Sequence, residues 1–362
     1  MNDTLLKFFP VPKYLTYPLV GIDISDDHIR FVELAKKDSG LCLSKYGRKD
    51  LLIMDKDDEE QKLNKLASAL LALKKEEGFK YASVSLPEEH SFFFSLVLPI
   101  LPRKDIKNAI ELRLQEYVPY SPEEVVFDYQ IYSVDEKKKQ MVVGVALIPM
   151  LVVNDYSAVL HRAKIKPLIF EPEAIAAARV IVPKDNNFYM VINIGTANTT
   201  LSVVSNEVVW LSNTVKIGGK FFDTAIKKRV DAKSGSQNLE ILKQTVNLRD
   251  SEDEISLALI PIISSIRDEI SKYYKFWHSH KTEGDIGAKR IKKVFLCGSQ
   301  AGIKGLDDYL SASLGFNVER PNPWSAILSL EECVPDMEYE KSLGFVTSLG
   351  LAFGMSNPFY IY

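Results

Sequence analysis

The sequence predicts an α/β protein of two duplicated lobes with a small β-rich subdomain inserted into the first. Three observations carry this. Val20-Gly21-Ile22-Asp23-Ile24 is an apolar strand ending on a carboxylate, and Val191-Ile192-Asn193-Ile194-Gly195-Thr196-Ala197-Asn198-Thr199-Thr200 repeats the arrangement about half a chain later. A third strand-to-loop segment, Phe295-Leu296-Cys297-Gly298-Ser299-Gln300-Ala301-Gly302, completes an ordered set. A buried strand that delivers an acidic or amide side chain into a tight turn can hold phosphate between backbone N–H groups and position a metal-bound water. At 362 residues the chain is too long for one ordinary core, so two lobes are expected.

Along the first half, Val20 to Ile24, Ile29 to Leu34 and Leu41 to Gly47 read as strands. Glu60 to Lys75 reads as a helix with Leu63, Leu66, Leu70 and Leu73 on one side. Tyr81 to Pro87 and Phe92 to Pro99 are two further strands. Pro102 opens a helix whose apolar residues Ile106, Ile110, Leu114 and Tyr117 recur every three or four positions, and Pro119 ends it. Val125 to Tyr132 and Met141 to Ile148 flank the charged turn Asp135-Glu136-Lys137-Lys138-Lys139-Gln140, the pattern of a solvent-exposed hairpin. A helix over Leu151 to Ala163 and a strand over Pro167 to Phe170 follow. Glu171-Pro172-Glu173-Ala174-Ile175-Ala176-Ala177-Ala178-Arg179 then begins a helix expected to connect the lobes. Glu171 either faces a cleft or complements a helix N-terminus, which attracts acidic groups by its dipole.

Pro183 to Asn187 is the expected lobe boundary. Val203 to Trp210 is two strands around a tight turn containing Asn206. Ile217-Gly218-Gly219-Lys220-Phe221-Phe222-Asp223 enters a helix, and paired glycines there either let backbone approach a phosphate or serve simple turn chemistry. Ser251 and Glu254 have capping-box spacing for a long helix carrying Ile255, Leu259, Ile262, Ile266, Ile270, Tyr273 and Trp277, with Pro261 kinking or interrupting it. The small-residue segment Leu343 to Gly354 reads as a helix able to pack closely at the lobe interface.

Composition narrows the function classes. A net charge of −3 argues against a nucleic-acid binder dominated by phosphate contacts. Three widely spaced cysteines argue against a disulfide framework and for a reducing cytoplasm, and none has metal-ligand spacing with the histidines. No apolar run approaches the ~20 residues that span a bilayer. The N-terminal stretch Leu5 to Leu15 lacks a cleavage site and holds two prolines, so it reads as an arm packing on the first lobe.

The two hairpins and the Cys297-Gly298-Ser299-Gln300 loop are similar to the phosphate-1, phosphate-2 and adenosine loops of the superfamily of actin, heat-shock chaperone ATPases and sugar kinases. More narrowly, the pattern over about residues 18 to 356 resembles PilM-like type IV pilus assembly proteins, relatives of the cell-division protein FtsA. That resemblance rests on Gly21-Ile22-Asp23-Ile24, on Glu116-Tyr117-Val118-Pro119-Tyr120 with Val126-Phe127-Asp128-Tyr129-Gln130, and on Glu171-Pro172. It continues through Asn193-Ile194-Gly195, Ile217-Gly218-Gly219, Glu269 to Tyr274 and Cys297-Gly298-Ser299. It implies an actin-like ATPase fold with an SHS2-like insertion of the FtsA 1C type. The expected domains are a first lobe (1A) over 18–86, 165–184 and 343–356, the insertion (1C) over 87–164, a second lobe (2A) over 185–218 and 290–342, and a subdomain (2B) over 219–289.

The resemblance also implies function. ATP and Mg²⁺ would be held by Asp23, Ser25, Asp26, Asn193, Gly195, Thr196, Gly218, Gly219, Lys220, Gly298, Ser299 and Gln300, with Asp23 and Glu171 catalytic in an active enzyme. The partner would be the N-terminal cytoplasmic peptide of a PilN-like bitopic membrane protein, seated near Leu114, Tyr117, Val118, Pro119 and Tyr120, with self-association as a further mode. The expected location is cytoplasmic, peripheral to the inner membrane through that partner. The chain departs from the family pattern at Ser25, where the family has glycine, and at Asp26, Asp27, Asn193 and Ser299. At an effective dielectric of ~20 and ~5 Å, each added carboxylate would repel a phosphate charge by roughly 3 kcal/mol, unless metal bridges the two. The departures favour an adaptor with a degenerate cleft, and the intact glycines keep an ATPase in view. The cytoplasmic part of a type II secretion platform protein is a third alternative, disfavoured because the chain ends without a membrane segment.

Overall fold

The computed structural model describes residues 19–37, 40–54, 56–230, 243, 246–249, 254–279, 290–328 and 333–356. The N-terminal arm, Ser251 of the expected capping box and the far C-terminus lie outside them.

The chain opens with β1 (Leu19–Ile24), β2 (His28–Lys37), β3 (Gly40–Asp50), α1 (Glu59–Glu77) and β4 (Tyr81–Leu86). Then come β5 (Phe92–Pro99), α2 (Arg103–Arg113), β6 (Val125–Asp135), β7 (Gln140–Pro149) and α3 (Met150–Arg162). The chain returns through β8 (Lys166–Pro172) into α4 (Glu173–Ile181). The second half holds β9 (Phe188–Ile194), β10 (Thr199–Ser205), β11 (Val208–Val215), α5 (Gly219–Val230) and α6 (Glu254–Ser279). It closes with β12 (Ile291–Cys297), α7 (Leu306–Leu314), β13 (Val318–Glu319), α8 (Tyr339–Ser342) and α9 (Val346–Gly354).

The duplication is visible in the sheets. One runs β3-β2-β1-β4-β8 and another β11-β10-β9-β12-β13. In each, the opening strand pairs antiparallel with the next and parallel with a later one: β1 with β2 and β4, β9 with β10 and β12. Both opening strands are apolar because they are central and covered on both faces, so β1 buries Val20, Ile22 and Ile24 and β9 buries Phe188, Met190, Ile192 and Ile194. A separate three-stranded sheet, β5-β7-β6, lies between β4 and β8 in sequence. Ile106 and Ile110 of α2 pack on one of its faces with Leu96, Leu98, Met141, Val143 and Val145. Across from the second lobe, Val208 sits so close to Gly144 of β7 that a side chain there would collide with it.

The lobes meet at two short helices built from small residues. A Cβ added at Gly350 of α9 would overlap the Ala176 carbonyl of α4, and one at Gly21 would lie 2.6 Å from the Ala352 nitrogen. Backbone therefore packs on backbone, which only glycine permits.

Three local expectations change. α2 stops at Arg113 and gives way to a tighter turn over Leu114–Glu116, where the Tyr117 and Val118 N–H groups both return to the Leu114 carbonyl. β8 continues to Pro172, because Glu171 and Pro172 keep pairing with Ser85 and Leu86, so α4 begins at Glu173. α6 runs unbroken through Pro261.

Candidate functional site

A cleft of about 700 Å³ lies between the turn after β1 and the turn after β9. Of the twelve residues expected to hold nucleotide, Ser25, Asp26, Asn193, Gly195, Thr196 and Lys220 line it. The other six lie behind the wall or around the loops that shape it.

The first hairpin turn is closed on itself, with the Ser25 N–H donating to the His28 carbonyl at 2.9 Å. Asp26 is exposed and faces the cleft, whereas the Asp27 carboxylate is held by His28 Nδ1 at 2.7 Å. Burial works to raise the Asp27 pKa, but the hydrogen bond to His28 prevails and lowers it. Asp23 lies behind the turn, 5 % exposed, accepting from Ser85 Oγ at 2.9 Å and facing Arg30 across β2. Burial raises its pKa against the pull of Arg30 and His28.

The second hairpin uses its polar backbone internally. The Gly195 N–H donates to the Asn198 carbonyl at 2.9 Å. The first N–H groups of α5, on Gly219 and Lys220, donate to the carbonyls of Gly195 and Thr196 at 3.0 and 2.8 Å. Gly218 packs on the Ala197–Asn198 backbone, within 3 Å of where its Cβ would stand. The Gln300 side chain covers Gly219, a Cβ there falling 2.6 Å from Gln300 Cδ, and Gln300 Oε1 is buried with no hydrogen-bond partner among the described residues. Ser299 Oγ reaches Thr196 Oγ1 at 3.5 Å. Gly298, at φ +99°, has left-handed backbone that favours glycine and lies 2.5 Å, from its would-be Cβ, from the Ile194 carbonyl.

Two acidic residues at the cleft escaped the sequence reading. Glu88, in the turn after β4, is 5 % exposed and ties three elements together. Its carboxylate accepts the Ala174 N–H at the start of α4 at 3.0 Å and the Ser212 hydroxyl of β11. Burial pushes its pKa to about 7 against those two hydrogen bonds. Glu173 lines the same cleft, its pKa raised well above the ordinary value by burial and by the charges of Asp23, Glu88 and Asp26. Pro172-Glu173 at a strand-to-helix junction was the available signal for Glu173. Glu88 had none, because its partners come from distant parts of the chain.

Glu171 is turned elsewhere. Its carboxylate forms a buried ion pair with Arg179, whose Nη1 lies 2.7 Å from Glu171 Oε2 and also donates to the Gly350 carbonyl at 3.0 Å. Both residues line a second cavity of about 300 Å³ between the inserted sheet and the β10–β11 turn. Of the expected peptide anchors, Leu114 and Val118 are buried with Val125 and Leu147. Tyr117 stacks on Phe94 at 4.6 Å, Tyr120 meets Phe92 edge-on at 5.8 Å, and Pro119 is exposed.

Glu88 makes stability depend on pH with a definite sign. Its folded pKa lies above the ordinary 4.5, so the folded state holds the proton more tightly. The stabilisation is full below about 4.5 and is lost as pH rises through about 7. About 2.5 pKa units correspond to about 3 kcal/mol. Asp23 and Glu173 shift in the same direction. Urea unfolding is therefore expected to show stability falling from pH 5 to pH 8, with Glu88→Gln flattening the fall; an unchanged slope in that variant would contradict the assignment.

Among the described residues no helix is long and apolar enough to cross a membrane, and no group of three or more His, Cys, Asp or Glu side chains is arranged to hold a metal ion. A model of the family described as Type IV pilus assembly protein PilM matches residues 21–355. Among solved structures, the PilM-PilN type IV pilus biogenesis complex is similar with a TM-score of 0.72 and 20% identity, covering 94% of this chain and 98% of that one. The ethanolamine utilization protein EutJ from Carboxydothermus hydrogenoformans gives 0.53 at 15% identity, over 95% and 91% of the two chains. MreB 5 of Spiroplasma citri bound to AMPPNP gives 0.52 at 15%, over 92% and 95%. The fold is thus that of the actin-like ATPases.

Proposed function

The chain belongs to the family of the type IV pilus assembly protein PilM, and from that membership we propose that it is a cytoplasmic adaptor of a pilus assembly platform, binding the N-terminal peptide of a PilN-like membrane protein and working without bound nucleotide. The similarity to a structure titled as a PilM-PilN complex supports the choice of partner.

The observation that carries the adaptor reading over an ATPase reading is the state of the cleft. Asp26, Glu88 and Glu173 line it. The N–H groups at the start of α5 are already donated to the second hairpin, and Gln300 fills the space over Gly219. A triphosphate would meet the Asp26 carboxylate and backbone turns whose N–H groups are already used, against Lys62 and Lys220 as cations of the lining. Repulsion between a carboxylate and a phosphate charge of roughly 3 kcal/mol at ~5 Å weakens binding by about two decades. The residues present do not fit ATP and Mg²⁺, and Glu171, committed to Arg179, is not free to orient a nucleophile.

The peptide seat we propose is the rim formed by Tyr117, Pro119 and Tyr120. Tyr117 and Tyr120 are half-buried against Phe94 and Phe92, and Pro119 between them is exposed. Half-buried aromatics around an exposed proline suit an extended apolar peptide. Fluorescence anisotropy with a labelled cytoplasmic N-terminal peptide of a PilN-like membrane protein tests it. Tyr120→Ala is expected to weaken binding at least about tenfold, the loss typical of an aromatic anchor. Unchanged affinity would place the peptide elsewhere.

A further inference from the structure

The adaptor reading leaves the charged β6–β7 hairpin without a role. Its turn carries Lys137, Lys138 and Lys139, all exposed. The Asp135 carboxylate accepts the Lys137 and Lys138 N–H groups at 3.0 and 3.1 Å, which stiffens the turn that carries the three exposed lysines. Pairing of Pro99 with Gln140, and the bond from the Ile100 N–H to the Lys139 carbonyl at 3.2 Å, bring the end of β5 beside this turn. The start of α2 follows directly, with Arg103, Lys104 and Lys107 also exposed. Tyr129 of β6 ties that helix start to the sheet through its bond to the Arg103 carbonyl at 3.2 Å.

Five of these cations gather at the turn and the start of α2, while Lys107, one helical turn further on, lies over the Phe127 ring at 5.8 Å. Among the described residues none of them forms an ion pair; the basic run of β3 differs, since Lys45, Arg48 and Lys49 pair with Glu77, Asp50 and Glu76. The acids at the tip are fewer: Asp135, occupied by the turn backbone, Glu136 and the half-buried Asp105. Two aliphatic side chains, Ile100 and Val134, stand exposed at 39% and 47%. On a chain of net charge −3 this is a local reversal of sign.

We propose that the tip formed by the β6–β7 turn and the start of α2 docks on an anionic lipid surface. Unpaired lysines on long apolar stems can keep their ammonium groups among headgroup phosphates while Ile100 and Val134 rest at the acyl boundary. The aliphatic pair beside the cations is what favours a bilayer over an acidic protein face. The contact is independent of the peptide seat and orients a chain that a partner tethers. Because the rest of the molecule is acidic, binding is directional and sensitive to salt within the Debye length.

Vesicle flotation of the full chain tests this, using neutral phosphatidylcholine vesicles and vesicles with added phosphatidylglycerol at low salt. Binding is expected to the anionic vesicles alone, and to fall as salt rises. The triple variant K137Q/K138Q/K139Q is expected to weaken it about a hundredfold, each lysine near such a surface contributing roughly fivefold. The variant K45Q/R48Q/K49Q, which removes paired cations, is expected to leave it unchanged. No binding to anionic vesicles, equal binding to neutral ones, or equal losses in the two variants would each overturn the proposal. Because all substituted side chains are on the surface, circular dichroism should show both variants folded.

Discussion

Gly350→Val is expected to prevent the protein from folding. Its Cβ would occupy the space of the Ala176 carbonyl, and neither α4 nor α9 can retreat. α9 is pinned on its other side by β1, where Gly21 admits the Ala352 backbone at a distance no side chain would tolerate. Overpacking usually costs 1–3 kcal/mol because side chains shift; here backbone meets backbone, so a loss above about 4 kcal/mol is expected, much of a domain's stability. The measurement is soluble yield and the unfolding midpoint. Gly344→Ala is the control, since its added methyl would stand 3.4 Å from Ser299 Cα, an ordinary contact. A folded, wild-type-like Gly350→Val would mean that the helix crossing is looser than described.

Glu171→Ala is expected to destabilise the fold by about 3–5 kcal/mol, the cost of leaving a buried partner charge uncompensated. The charge left behind is Arg179, 7 % exposed, whose guanidinium also reaches the Gly350 carbonyl across the helix crossing. The substitution therefore strikes the joint between lobes rather than a chemical step. Replacing both partners by apolar residues, as in Glu171→Leu with Arg179→Met, should recover much of the loss, because well-packed hydrophobic pairs often equal buried ion pairs. Denaturant midpoints of the wild type and these two variants decide this. A stable Glu171→Ala protein altered only in nucleotide turnover would return Glu171 to a catalytic role.

Much of the architecture was legible because it repeats. β1 and β9 are buried on both faces, so each writes an apolar run into the sequence, and each ends in a polar turn where it leaves the sheet. The small-residue helices were legible for the same reason: Gly350, Ala352, Ala176 and Ala177 mark a close crossing in the composition itself. The site was legible only in outline. Glu171 and Glu173 are two residues apart, and which of them faces the cleft depends on where β8 stops and α4 starts, a boundary set by pairing with β4. The capture of Asp27 by the neighbouring His28 leaves Asp26 as the turn's acidic wall, and an adjacent hydrogen bond of that kind has no periodic signature. Glu88 and Gln300 matter through contacts with residues more than eighty positions away, Ser212, Ala174 and Gly219 among them. Leu114 and Val118 kept helical spacing in the sequence, yet the chain tightens at Leu114 and turns both inward, leaving Tyr117, Pro119 and Tyr120 at the rim.

On the adaptor reading the chain keeps the actin-like cleft but binds no nucleotide in it. Calorimetric titration of the purified protein with ATP and Mg²⁺, repeated with a non-hydrolysable analogue, decides this. The internally bonded turns, with Asp26 on the cleft wall, predict no binding up to millimolar nucleotide. Micromolar binding, of the intact nucleotide and the analogue alike, would contradict it and make nucleotide a ligand of this adaptor.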